Sequence, residues 1–160
     1  MNEMDNVNRI RPGLLAPDFS LPDAEGKEIN LSSFLGNKNI VLFFFPDTQD
    51  QEILTFLLTL QESLKEIRLR DGRVVALFSE KKKLLRKLKE NLTLEFLVLA
   101  DEKGGVGWKY GVVDTSSERE KFYPAVFMIS KEGIIKFRQV FLKDEKPSIE
   151  GIISFLDELI

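Results

Sequence analysis

A short polar stretch between Asp47 and Glu52 holds the residue types best suited to chemistry in this sequence. It combines carboxylate, amide and hydroxyl side chains in the order Asp47, Thr48, Gln49, Asp50, Gln51, Glu52. One interpretation is a ligand pocket at the start of a helix. The other is a solvated loop and helix cap, where acidic residues are favourable because of the helix dipole. The second is favoured, since carboxylates there repel the anions that a helix N-terminus would otherwise bind.

The chain has 160 residues, a formal net charge of −3, and neither cysteine nor histidine. Without cysteine there is no thiol nucleophile, redox thiol, disulfide or zinc–thiolate site. Without histidine there is no Ser-His-Asp triad and no imidazole ligand. Carboxylates could still bind Mg²⁺ or Ca²⁺, but the loop pattern of strong calcium sites is absent. The sequence therefore predicts neither a metal nor a cofactor.

A run of basic residues is the other charged feature. It comprises Lys81, Lys82, Lys83, Arg86, Lys87 and Lys89. A nucleic-acid surface would also need a basic total charge or interleaved aromatic residues, so a solvated helix face is the favoured interpretation. The longest apolar run, Ile40 to Phe45, is too short to span a bilayer. We therefore predict a cytoplasmic protein that binds neither nucleic acid nor membrane.

Strand-like and helix-like patterns alternate after a polar start. Residues 1–11 are predicted to form a flexible arm, and residues 12–160 a single domain. The first long helix is expected to begin at Asp50, or in a capping box of Thr48 and Gln51. The predicted strands are Phe19–Leu21, Glu28–Leu31, Ile40–Phe45, Val74–Phe78, Phe96–Leu99, Val126–Ser130 and Ile134–Phe141. The predicted helices are Gln51–Arg70, Glu80–Asn91, Gly105–Tyr110 and Ile149–Ile160.

This order of elements predicts an α/β protein with a mixed central sheet flanked by helices. It corresponds to a thioredoxin-like fold with an N-terminal β extension. The strands Ile40–Phe45, Val74–Phe78 and Val126–Ser130 are apolar throughout except for the terminal Ser130, so we expect them in the centre of the sheet.

Several segments, in this order, resemble the peroxiredoxins, the alkyl hydroperoxide reductase C and thiol-specific antioxidant group. The resemblance is greatest to the bacterioferritin-comigratory type and covers about residues 12–160. It rests on the segments Gly13–Leu21, Gly26–Phe34, Ile40–Pro46, Leu99–Glu102, Trp108–Val112 and Val126–Gly133.

The resemblance implies a site whose reactive residues are missing. Peroxiredoxins reduce hydroperoxides with a thiolate in the pattern Pro-x-x-x-Thr-x-x-Cys. Counted from Pro46, the threonine position is Asp50 and the cysteine position is Ile53. The activating arginine lies three residues before a strand phenylalanine, and that position holds Pro124. The family's thiol chemistry therefore does not carry over to this chain.

The same resemblance suggests how the former peroxide pocket is occupied. We expect Ile53 to fill it by packing against Phe45 and against the Tyr123–Pro124 segment. Thioredoxin-like thiol reductases carry a cis-proline just before this strand, and Pro124 matches its position. A cis Tyr123–Pro124 bond is therefore expected, with a structural role.

Three functional hypotheses remain open at this point. The leading one is a binding or regulatory module that has lost thiol peroxidase chemistry. A second is a family-type antioxidant role in complex with a partner that supplies the cysteine. The third is a non-thiol enzyme that uses the acidic loop over residues 47–52. An unknown protein partner fits the first two, and the chain is expected to be a monomer or a homodimer.

Overall fold

The computed structural model describes residues 10–116, 121–142 and 145–159. Most of the arm predicted over residues 1–11 lies outside these ranges, as does Ile160 at the end of the last predicted helix. Ile10, at the end of the predicted arm, packs against the core. The assignment of residues 12–160 to a single domain stays a prediction.

The described chain alternates between strands and helices. The strands are β1 Ser20–Pro22, β2 Glu28–Asn30, β3 Asn39–Phe45, β4 Gly72–Phe78, β5 Leu97–Ala100, β6 Ala125–Ile129 and β7 Ile135–Val140. The helices are α1 Gln51–Glu62, α2 Leu64–Arg68, α3 Lys82–Leu92, α4 Gly105–Lys109 and α5 Ile149–Glu158, with a 3₁₀ turn at Leu31–Phe34. None of these helices, within the described ranges, is long and apolar enough to cross a bilayer.

Five strands form the central sheet in the order β5-β4-β3-β6-β7. The β3–β4 and β4–β5 pairs are parallel, whereas β6 is antiparallel to both β3 and β7. Strands β1 and β2 pair separately as an antiparallel hairpin. The predicted mixed sheet, its three central strands and the N-terminal β extension are thus confirmed.

Strand β3 is buried along its whole length because both faces of the sheet are covered. Val41, Phe43 and Phe45 point into one apolar cluster, which α1 and α5 cover and which we call the helix-side cluster. Ile40, Leu42 and Phe44 point into the other, which includes Tyr110 and Phe127 and which we call the opposite-face cluster. The helix-side cluster is the one that adjoins the predicted site.

The helix predicted over Gln51–Arg70 is divided in two at Ser63. This residue ends α1 and begins α2, with φ −94° and ψ 1°. The apolar spacing continues across the break, since Leu60, Leu64 and Ile67 are all buried. Hydrophobic periodicity therefore could not show it, although serine is a weak helix former that favours helix ends.

Asp101, directly after β5, fixes the start of the short helix α4. Its carboxylate accepts hydrogen bonds from the backbone N–H groups of Val106 (3.3 Å) and Gly107 (2.8 Å). The side chain is buried, and this burial raises the pKa of the Asp101 carboxyl above its ordinary value. Backbone hydrogen bonds oppose that shift without cancelling it.

Asp101→Ala is expected to lower the free energy of unfolding by about 1–3 kcal/mol, because two buried N–H groups lose their acceptor. A carboxyl whose pKa is higher in the folded state contributes stability that is lost as pH rises through that pKa. The loss of unfolding free energy caused by Asp101→Ala should therefore be larger near about pH 4, the pKa of aspartate in an unfolded chain, than at neutral pH. Urea unfolding across this range, with the exposed Glu102→Ala as control, measures it. A cost that grows with pH would show that the pKa is lowered instead.

Candidate functional site

The predicted site lies where β3 ends and α1 begins. Pro46 follows β3, and the loop after it leads to Asp50, the N-cap of α1. The Asp50 carboxylate accepts hydrogen bonds from the backbone N–H groups of Glu52 (2.9 Å) and Ile53 (3.2 Å). Asp50 is thus the cap, and the alternative capping box of Thr48 with Gln51 is wrong.

Thr48 is held by a residue that sequence reasoning missed. The Glu80 carboxylate accepts hydrogen bonds from the Thr48 backbone N–H at 2.6 Å and from the Thr48 hydroxyl at 2.9 Å. Thr48 is only 8% exposed, so this pair ties the loop after β3 to the residues after β4. It also explains why α3 begins at Lys82 rather than at the predicted Glu80. The only signal in the sequence is that both residues follow neighbouring parallel strands.

Asp47 joins the loop to the segment that leads into β6. One of its carboxylate oxygens accepts the Gln49 backbone N–H at 2.7 Å. The other lies 3.2 Å from the Lys121 ammonium, in an ion pair whose side chains are both partly exposed. Lys121 was not among the predicted site residues, because an isolated lysine far along the chain carries no signal of its own.

The outer surface of the site is polar and exposed. Gln49, Asp50, Gln51 and Glu52 are all exposed in the structure. Glu52 lies 3.9 Å from the Lys146 ammonium in a weak surface ion pair. Within the described ranges, no group of three or more carboxylates is placed to hold a metal ion.

Ile53 points inward from the first turn of α1. It is 9% exposed and belongs to the helix-side cluster together with Phe45. Tyr123 and Pro124 belong to neither apolar cluster, although both are partly buried. The structure therefore places Ile53 and Phe45 in one cluster, whereas packing of Ile53 on Tyr123–Pro124 stays a prediction. The assignment of Pro46, Asp50, Ile53 and Pro124 to former catalytic positions also stays a prediction.

The expected cis bond before Pro124 is wrong, since the described residues contain no cis peptide bond. Backbone hydrogen bonds hold the segment on both sides of this trans bond. The Tyr123 N–H donates to the Val112 carbonyl, and the Phe141 N–H donates to the Pro124 carbonyl, each at 2.7 Å. The trans form is also the intrinsically preferred isomer of an X–Pro bond.

The polar groups of the site cap a helix and hold the loop, and the site has no thiol nucleophile. Its acidic groups accept hydrogen bonds from the backbone or pair with lysine, as Asp47, Asp50 and Glu80 do. Its central side chain is a buried isoleucine, which has no lone pair to attack an electrophilic oxygen.

Comparison with known protein families places this arrangement in context. The model of the AhpC/TSA family matches residues 12–138, most of the chain. The chain belongs to the AhpC/TSA family.

Individual relatives support the same assignment. The chain is 28% identical over 134 residues to "Peroxiredoxin Bcp" of Escherichia coli (strain K12), covering 81% of this chain and 85% of that protein. It is also 28% identical over 141 residues to "Peroxiredoxin Bcp" of Bacillus subtilis (strain 168), covering 84% and 89%. The resemblance found in the sequence is thus confirmed.

Solved structures show the same fold. The crystal structure of peroxidoxin BcpB from Mycobacterium tuberculosis superposes with a TM-score of 0.84 at 20% identity, covering 94% of this chain and 99% of that one. Reduced 2-Cys peroxiredoxin from Plasmodium vivax gives a TM-score of 0.83 at 20% identity, covering 92% and 94%. The predicted thioredoxin-like fold is confirmed.

Proposed function

We propose that this protein is a peroxiredoxin-like redoxin that has lost thiol peroxidase chemistry and acts as a binding or regulatory module. The observation that carries the proposal is the complete absence of cysteine in a chain of this family. Peroxide reduction by a thiol requires a sulfur atom that accepts oxygen and is then reduced again. No other residue at the site supplies that cycle.

The geometry of the loop supports the proposal. Asp50 occupies the cap of α1, Glu80 holds Thr48, and Lys121 pairs with Asp47. Through these contacts, polar groups of Asp47, Thr48 and Asp50 have partners within the protein. Gln49 and Gln51 remain exposed. Exposed amides on a fixed loop suit recognition of a partner better than catalysis, and no observation favours a non-thiol reaction. A cytoplasmic location is part of the proposal.

Peroxide consumption by the purified protein tests the loss of chemistry. With dithiothreitol or thioredoxin as reductant, we expect hydrogen peroxide to disappear at the rate of buffer alone, because no thiolate is present. The same protein heated until unfolded is the control for trace metals and for oxidation of methionine. A saturable, reductant-dependent rate that is lost on unfolding would overturn the proposal.

The binding role needs a separate measurement. The tagged chain is incubated with lysate of its native organism, and a second sample carries Gln49→Ala and Gln51→Ala, two exposed changes that should leave the fold intact. We expect a protein retained by the first sample and lost from the second. The second hypothesis, an antioxidant role in complex with a partner that supplies the cysteine, would be supported instead by a different result. The chain would retain a cysteine-bearing protein, and peroxide would be consumed only when the two proteins are mixed. If both samples retain the same proteins, Gln49 and Gln51 are not part of the binding surface.

A further inference from the structure

Arg138 lies on β7, on the face of the sheet turned away from α1. It is the cross-strand partner of Phe127, a fully buried member of the opposite-face cluster. Side chains of such partners share one face, and the Arg138 guanidinium carbon lies 5.8 Å from the centre of the Phe127 ring. An arginine side chain thus stands where the strand pattern would place an apolar residue.

Two of its nitrogen atoms, Nε and Nη2, are buried, and within the described ranges neither has a hydrogen-bond partner. Burial lowers the pKa of the Arg138 guanidinium, and no charged neighbour contributes to that shift. A buried donor without an acceptor is costly, and more so when it is charged. Contact with the Phe127 ring compensates for only part of this cost.

The geometry points to an acceptor that is not part of the described chain. Nε–H and Nη2–H lie on the same edge of the planar guanidinium and point in parallel directions. That edge matches the two oxygens of a carboxylate, which arginine binds with two parallel hydrogen bonds. We propose that Arg138 is the receptor of a carboxylate group brought by a ligand.

Charge and surroundings define the kind of carboxylate. One isolated guanidinium neutralises one negative charge, so a monoanion fits better than a phosphate dianion. The guanidinium lies over the Phe127 ring, and the centre of that ring is 5.1 Å from the centre of the Tyr110 ring, so fully buried aromatic rings underlie the site. A carboxylate on an apolar body therefore suits the site, whether the body is a small molecule or a side chain of a second copy.

The rim of the sheet is the side on which Arg138 is partly exposed. β7 is the last strand of the sheet, and residues 13–15 pair with the chain at its start, Ile134 and Ile135. A ligand that approaches along this edge has to displace the groups that cover the two nitrogen atoms. The site is separate from the loop of the proposed function, so the two proposals stand or fall independently.

The test follows the Nε–H resonance of Arg138 by NMR while benzoate is added, with neutral benzamide of the same shape as the matched ligand. We expect benzoate alone to shift this resonance saturably and to raise the melting temperature. Arg138→Met should weaken benzoate binding at least about tenfold. Arg138→Lys should weaken it similarly, because an ammonium lacks the paired edge. Lys136→Met, an exposed cation on the same strand, should leave binding within about twofold of wild type.

A dilution series identifies the source of the carboxylate. A resonance already shifted at high protein concentration, and restored on dilution, would support a carboxylate from a second copy. Equal shifts with benzamide, or no saturable shift in the wild-type protein at any concentration, would overturn the proposal. A benzoate response that persists in Arg138→Met would also overturn it. Should Arg138→Met fail to fold, the benzoate and benzamide titrations of the wild-type protein decide the question alone.

Discussion

Replacement of Ile53 by alanine is expected to lower the free energy of unfolding by about 2–5 kcal/mol, the usual range for deletion of a buried aliphatic side chain. Ile53 is 9% exposed in the helix-side cluster, which also contains Phe45 and Leu57 of the same region. Removal of its outer carbons leaves a cavity beside a rigid central strand, which cannot collapse to fill it. The effect is therefore expected toward the upper part of that range.

Equilibrium unfolding in urea measures the change, and Leu58→Ala is the matched control. Leu58 lies on the same helix but is 43% exposed, so its loss should cost far less. If Ile53→Ala costs no more than Leu58→Ala, the pocket is not filled by Ile53. The register counted from Pro46 would then be wrong, and the case for a polar ligand at residues 49–52 would strengthen.

Ile53→Cys alone is expected to give a thiol that reacts slowly at neutral pH and does not restore peroxidase activity. The N-terminus of α1 favours a thiolate, but the Asp50 carboxylate that caps the Ile53 N–H is a like charge beside it. Adding Asp50→Thr keeps an N-cap and removes that charge, while Pro124→Arg supplies the missing cation. We expect each change to lower the pKa of the new cysteine, and a pKa lower by one unit means about tenfold more thiolate at a pH well below the pKa.

The pH dependence of alkylation by iodoacetamide measures this directly. We expect the triple variant to be alkylated at least about tenfold faster than the single variant at neutral pH. We also expect it to consume peroxide, whereas the single variant does not. The pair Ile53→Cys with Gln49→Ala serves as control, since it alters the loop without altering its charge. Equal alkylation rates in the single and triple variants would mean that residues 50 and 124 do not face position 53.

The central strands of the sheet could be predicted from the sequence because each contains a run of consecutive apolar residues. Within strand β3, Ile40–Phe45 is one unbroken apolar run directly before Pro46, and such runs occur where both faces of a sheet are covered. The break at Ser63 was not predictable, because the apolar spacing from Leu60 to Ile67 continues through it. Periodicity reports which face is buried and not whether the backbone hydrogen bonds are continuous.

Local signals also located part of the candidate site. Asp50 could be recognised as a cap because capping depends on residues within one helical turn. The contacts of Thr48 with Glu80 and of Asp47 with Lys121 join residues 32 and 74 positions apart, so only the folded chain reveals them. The same holds for Arg138, whose unusual place becomes visible only once its pairing with Phe127 is known.

The pairing of β3 has a consequence for the chain during its synthesis. One edge of β3 pairs with β4, which soon follows it, but the other edge pairs with β6, which begins only at Ala125. Until the ribosome has made β6, the segment Ile40–Phe45 keeps an open edge. It is rich in β-formers and carries neither charge nor proline, the composition of aggregation-prone segments. Pro46 and Asp47, directly after it, act as gatekeepers that limit wrong pairing between nascent chains.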